Sequence, residues 1–323
     1  MSAATAIRAA VVRAPGDTIV EMVSIPEPGP GEVRVRLEGC GVCASNLGPW
    51  SGPEWQQFPL EPGELGHEGW GVVDAVGAGV ENVRTGDRVA TLSHRSYREM
   101  DVACADALVR LPPTLDGKPF PGEPLGCAFN IFERSDIHPD QTVAIIGIGF
   151  LGAMLTRLAS ARGAKVVAIS RRQESLQLAA EMGAETTLQA GDDAAIAGRV
   201  HELTEGRMCP RVIECVGDQR TLTLAGELVG TGGRLIIAGY HQDGPRQVDM
   251  QAWNWKGIDV VNAHERDLDR QKAGIEQAIE AVADGAVPVE RLFTHCYSIE
   301  QLGEALDATR DKPHGFVKAL IVF

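Results

Sequence analysis

The stretch Thr142-Val-Ala-Ile-Ile-Gly-Ile-Gly-Phe-Leu-Gly-Ala-Met-Leu155 constrains this chain more than any other. Residues 143–146 are a short, largely β-branched apolar run, as a strand buried on both faces requires. Gly147, Gly149 and Gly152 follow at G-x-G-x-x-G spacing, and a helical pattern begins from Gly152. The first glycine permits a tight turn, the second lets a pyrophosphate approach the backbone, and the third lets the helix pack closely on the strand. The helix N-terminus, with free N–H groups and partial positive charge, then holds the phosphates. Among 37 glycines in 323 residues the spacing alone would be weak evidence. Its place between strand and helix, with a second strand at 165–169, points to a dinucleotide site.

Strands at 166–169, 212–214 and 234–238 alternate with helices at 174–182 and 221–229, and 260–261 add a last strand. That succession is the α/β class, a doubly wound parallel sheet of the Rossmann type. Upstream, short strands at 9–12, 32–37, 71–76 and 86–90 are separated by turn signals such as Pro26-Glu-Pro-Gly-Pro-Gly31, which reads as an all-β, barrel-like module to about residue 110. The tail reads as helices at 273–283 and 299–308 and a closing strand at 317–322. The balance of 30 basic and 44 acidic residues gives a formal charge of −14, which sets aside nucleic acid and anionic membrane as partners. No apolar run approaches the ~20 residues of a membrane span, and residues 1–10 show no secretory signal. Seven scattered cysteines argue against a disulfide framework. The expected setting is cytoplasmic and thiol-reduced.

Cys43 and Gly66-His67-Glu68-Gly69 form a second constellation. Thiolate and imidazole are the usual protein ligands of zinc, and a catalytic site uses three of them and leaves one position open. A carboxylate can be the third, and Glu123-Pro-Leu-Gly126 stands where the chain enters its second half. These motifs occur in order with Gly41-Val-Cys-Ala-Ser-Asn46, Gly86-Asp-Arg-Val89, Gly147-Ile-Gly-Phe-Leu-Gly152, Val212-Ile-Glu-Cys-Val-Gly217 and Gly232-Gly-Arg-Leu235. On them the chain resembles, over nearly its whole length, the zinc-type alcohol dehydrogenases of the medium-chain dehydrogenase/reductase superfamily.

The resemblance implies a Rossmann domain (123–262) inserted in a GroES-like β-barrel catalytic domain (1–122 and 263–323), with the active site in the cleft between them. It carries Cys43 and His67 over as ligands of one catalytic zinc, and Glu68 as a direct ligand or a group behind the metal. Glu123 is the carboxylate of the Glu-Pro-Leu branch, preferred over Cys127 as the remaining ligand. Ser45 matches the hydroxyl that relays the proton. Asn46 stands in place of the usual aspartate, and its amide is expected to hydrogen-bond His67 without the charge. Phe150, Leu151, Val216 and Gly239 join the three glycines as cofactor contacts. The structural-zinc lobe is missing, since 91–103 holds no cysteine, and Gly48 replaces a histidine that ends the relay in some members.

At the end of the second strand, a carboxylate would bind the ribose hydroxyls of NAD(H). Ser170, Arg171 and Arg172 stand there instead and suit a 2′-phosphate, so NADP(H) is favoured over NAD(H). The expected chemistry is hydride transfer between NADP(H) and an alcohol/carbonyl pair, with a polyol or other secondary alcohol as substrate, in a homodimer or homotetramer. A zinc-independent quinone- or enoyl-type reductase and a non-catalytic cofactor-binding protein share the fold. The Cys43–His67–Glu68 set weighs against both. His241 and His264 follow strand ends and are candidates for touching cofactor or substrate.

Overall fold

The computed structural model describes residues 6–323; of the segment 1–10 read for a signal, residues 1–5 lie outside the described residues. The chain divides into two compact units, Met1–Gly126 with Asp267–Phe323, and Cys127–Arg266.

In the first unit, β1 (Ala6–Ala14) and β2 (Asp17–Ser24) form an antiparallel hairpin. The glycine of the turn between them, Gly16, has φ +70°, which a side chain would resist. β3 (Glu32–Gly41) alternates buried Val33, Val35 and Leu37 with outward Arg34 and Arg36, the period-2 pattern read from sequence. After a short 3₁₀ turn at Ala44–Asn46 and the helix α1 (Leu47–Ser51), the chain enters β4 (Gly69–Val76). Then come β5 (Arg88–Thr91), β6 (Met100–Cys104) and β7 (Leu108–Arg110). Between β5 and β6, a run of hydroxyls fills the interior: Thr91 to Ser93 (3.2 Å), Ser93 to Ser96 (2.9 Å), then the Ser96 hydroxyl donating to Asp101 (3.2 Å), which also pairs with Arg98. All four partners in that chain are buried, so each must find a hydrogen bond inside the protein.

The helix α2 (Gly122–Ser135) was not foreseen. Its Pro124 is compatible with the first helical turn, where no intrahelical N–H bond is lost. The boundary between the units falls inside α2. In the second unit β8 (Thr142–Ile146), α3 (Phe150–Ala161), β9 (Lys165–Ser170) and α4 (Gln173–Glu181) follow the expected alternation. β10 (Thr186–Gln189) and α5 (Asp193–Leu203) are additional, and then come β11 (Cys209–Glu214), α6 (Gln219–Leu228), β12 (Val229–Ile237), α7 (Met250–Lys256) and β13 (Asp259–Asn262). The sheet order is β10-β9-β8-β11-β12-β13, all parallel, so the strand order reverses between β8 and β11. It is the doubly wound sheet that the sequence predicts. Its central strands are buried on both faces, which is why they read as unbroken apolar runs.

The chain then returns to the first unit through α8 (Leu268–Ala283), β14 (Phe293–Tyr297), α9 (Leu302–Asp311) and β15 (Lys318–Val322). β15 pairs antiparallel with the end of β3, completing the order β14-β15-β3-β4-β5-β7, with β6 also on β3. Leu302, Ala305 and Leu306 of α9 pack with Cys40, Val42 and Ile321 in one core.

The three fingerprint glycines are not equivalent. Gly147 has φ +93°. A Cβ on Gly152 would strike the Gly147 carbonyl oxygen, whereas one on Gly149 would meet nothing within 4 Å. Gly152→Ala is therefore expected to cost about 1–3 kcal/mol through overpacking, and Gly149→Ala, at a helix N-cap, at most about 1 kcal/mol. Urea unfolding of the two variants checks this, and equal losses would refute it.

Candidate metal centre and dinucleotide fold

The strands β3 and β4 are antiparallel neighbours, with Cys40 opposite Gly69. Cys43 leaves the end of one and His67-Glu68 leads into the start of the other, so residues distant in sequence become cross-strand neighbours. One ligand atom each from Cys43, His67 and Glu68 lies within 4.8 Å of the others. Among the described residues no other group of three such donors is this close. Glu123 and Cys127 fall outside it, both half-buried. Ser45 is on the 3₁₀ turn that Cys43 caps.

The imidazole of His67 is oriented by a backbone carbonyl. Its Nδ1 lies 2.9 Å from Leu65 O, which places the proton on Nδ1 and leaves Nε2 free to bind a metal. Asn46 was expected to hydrogen-bond His67. It instead donates from Nδ2 to the same Leu65 oxygen (2.9 Å), while its Oδ1 accepts from the Tyr97 hydroxyl (2.8 Å). An amide can thus brace the histidine one step removed, through a shared carbonyl. Leu65 has φ +75°, an uncommon conformation for a residue with a branched side chain. The next residue is locked too, since a Cβ on Gly66 would strike the backbone nitrogen of Tyr97.

Glu68 is fully buried, and the reason it can be is Lys318, itself 5% exposed, on β15. The lysine Nζ donates to Glu68 Oε1 (2.9 Å) and to Val42 O (3.2 Å), and lies 2.7 Å from Oε2. Gly41 is the other requirement, because a Cβ there would fall on Glu68 Oε2. Sequence reading missed Lys318. The only signal was a lysine inside the apolar run Val317-Lys-Ala-Leu-Ile-Val322.

Acidic groups crowd His67. Burial alone would lower the pKa of His67, but the hydrogen bond to Cys43 and the charges of Cys43, Glu123 and Glu68 raise it to about 10. Burial and the Glu68 charge push Glu123 up to about 7, against the opposing pull of His67 and Lys318. Burial depresses Lys318, yet Glu68, Cys43 and Glu123 hold it above its ordinary value. The cluster's sulfur, nitrogen and carboxylate donors are those zinc prefers.

In the second unit, Ser170 ends β9 buried, Arg171 is exposed, and Arg172 pairs with Glu174 at 3.4 Å. Phe150 and Leu151 begin α3 half-buried. Val216 is 42% exposed beside Gly147, where an added Cβ would strike it, and Gly239 packs against Gly217. Both ring nitrogens of His241 are engaged, with Glu214 Oε2 (3.1 Å) and with Arg246 Nε, which donates to Nδ1 (2.8 Å). That leaves His241 no free nitrogen for a ligand. His264 is exposed, with its ring 6.4 Å from that of Tyr240. No disulfide joins any of the seven cysteines.

Removing one partner of a buried ion pair strands the other, at roughly 3–5 kcal/mol. Lys318→Met is expected to lose stability on that scale, and the double change Glu68→Gln with Lys318→Met to lose less than the single one. Denaturant unfolding of the cycle measures this, and strictly additive losses would mean that the pair is not coupled.

Residues 29–112 match the alcohol dehydrogenase GroES-like domain, and residues 151–284 match the zinc-binding dehydrogenase family, together more than half of the chain. The sorbitol dehydrogenase of Gallus gallus is 29% identical, over 94% of this chain and 93% of that protein. A zinc-binding dehydrogenase candidate from Sinorhizobium meliloti 1021, bound to NADP, superposes with a TM-score of 0.84 at 27% identity, covering 99% of this chain and 100% of its own. An alcohol dehydrogenase from Escherichia coli CFT073, complexed with NADH, shares the fold with a TM-score of 0.87 at 22% identity, covering 99% and 100%. Both domains occur here, in the order that the motifs define. The chain belongs to the zinc-type alcohol dehydrogenases of the medium-chain dehydrogenase/reductase superfamily and is an oxidoreductase of the alcohol dehydrogenase type.

Proposed function

We propose that this protein catalyses zinc-dependent, reversible hydride transfer between NADP(H) and a polyol or related secondary alcohol and its carbonyl form. The observation that carries the reading is the meeting of Cys43, His67 and Glu68 within 4.8 Å. Cys43 and His67 would hold zinc through Sγ and Nε2. A carboxylate would complete the set: Glu68 stands nearest but is anchored on Lys318, and Glu123 acts on His67 from farther off. When bound, zinc would supply Lewis acidity toward the substrate oxygen, and the nicotinamide would donate or accept the hydride. Ser45, on the turn beside Cys43, would pass the proton. The polyol class is suggested by sorbitol dehydrogenase among the relatives.

Gly149 supports a dinucleotide. The protein itself explains Gly147, by its positive φ, and Gly152, by its close packing. Neither reason applies to Gly149, which faces open space. Glycine suits the N-cap that Gly149 occupies, and a backbone that a pyrophosphate must approach is a further reason for it. The likeness to structures holding NADP in one case and NADH in another does not separate the two cofactors. The end of β9 supports NADP(H), since it offers a serine and two arginines that suit a 2′-phosphate. Arg172 is shared with Glu174, so Arg171 carries more of the preference.

Two measurements test this. Chelation of zinc is expected to abolish turnover of polyols while cofactor binding stays largely intact, and full activity in a verified metal-free protein would overturn the scheme. A charge-assisted contact is worth roughly 1.5–3 kcal/mol. Arg171→Ala should accordingly weaken NADP(H) about ten- to a hundredfold and barely alter NAD(H) in a binding titration. Equal losses for both would refute the phosphate assignment.

A further inference from the structure

Glu214, the last residue of β11, is fully buried and serves as a hub. Its Oε1 accepts from the backbone N–H groups of Val216 (2.6 Å) and Gly217 (2.9 Å) and from the Thr221 hydroxyl (2.9 Å). Its backbone oxygen accepts from Ala238 and Gly239 N–H, both at 2.8 Å. Its Oε2 faces His241 Nε2 at 3.1 Å. Because Arg246 Nε donates to Nδ1 of that ring, the ring proton is on Nε2 and is donated to Glu214. Arg246 Nη2 also donates to Gly217 O (2.8 Å), so the loops that leave β11 and β12 are stapled twice.

The location gives the staple its meaning. A doubly wound sheet binds a dinucleotide across the point where strand order reverses, one mononucleotide to each half. Here that point lies between β8 and β11. The half built on β8 and β9 carries the glycines and Arg171. The other half presents the two loops that Glu214 holds, with Val216 kept exposed beside Gly147 by a carboxylate that no solvent reaches.

We propose that Glu214 is a positioning residue for the nicotinamide half of the cofactor, holding Val216 and the 238–241 loop in the shape on which that half docks. The inference rests on the dinucleotide reading given above. Binding constants are to be measured for the preferred cofactor and for its adenosine half alone (2′,5′-ADP for NADP(H), 5′-ADP for NAD(H)), in wild type, Glu214→Gln and Thr221→Val, alongside thermal midpoints. Glu214→Gln is expected to weaken the full cofactor about tenfold or more and leave the adenosine half within about twofold. Parallel weakening of both ligands, or of neither, would overturn the assignment and leave Glu214 a general structural brace. Should Glu214→Gln not fold, Thr221→Val, which removes one donor to Oε1, must show the same split in smaller measure, and no split there is equally fatal. A wild-type protein that binds neither ligand would fell the dinucleotide reading itself, and this inference with it.

Discussion

The ion pair of Glu68 and Lys318 is the constraint on which the candidate metal centre depends. Two opposite charges taken out of water are costly apiece, and only close pairing with further hydrogen bonds offsets that cost. Here the pairing is close, Val42 O supplies an additional acceptor, and Gly41 vacates the volume the carboxylate needs. The pair joins β15 to the entrance of β4 across 250 residues of sequence. It also stands directly behind Cys43 and His67, so it fixes the charge that any metal at those donors would meet.

A second layer of order is carried by main-chain oxygens. His67 takes its tautomer from Leu65 O, and that oxygen is held by Asn46, which is held in turn by Tyr97. The family resemblance led to an expectation of a direct contact between Asn46 and His67. The route through a carbonyl could not be read, because nothing about a leucine announces a left-handed backbone. The same division recurs in the second unit. The glycine spacing was visible, yet the distinction between glycines that the protein needs and the one that faces open space requires coordinates.

What was legible in the sequence follows from this. Buried parallel strands betray themselves as apolar runs, and Cys43, His67 and the three glycines stand in short motifs whose spacing is local. Lys318 escaped notice because its partner is contributed by another strand, and a lone lysine in an apolar run ordinarily suggests an edge. Glu214 lay in plain view within Val212-Ile-Glu-Cys-Val-Gly217, but its role comes from loops that converge only in the folded sheet. Periodicity reports the face a residue occupies. It is silent about which distant element supplies the counter-charge.

The hydroxyl chain from Thr91 to Asp101 links β5 to β6 through hydroxyls and one carboxylate. Alcohol groups neither oxidise under ordinary conditions nor release an ion to a competitor. This side of the barrel therefore draws its cohesion from groups indifferent to redox state and metal supply. Oxidants or metal starvation would leave the hydrogen bonds that join β5 to β6 unaltered.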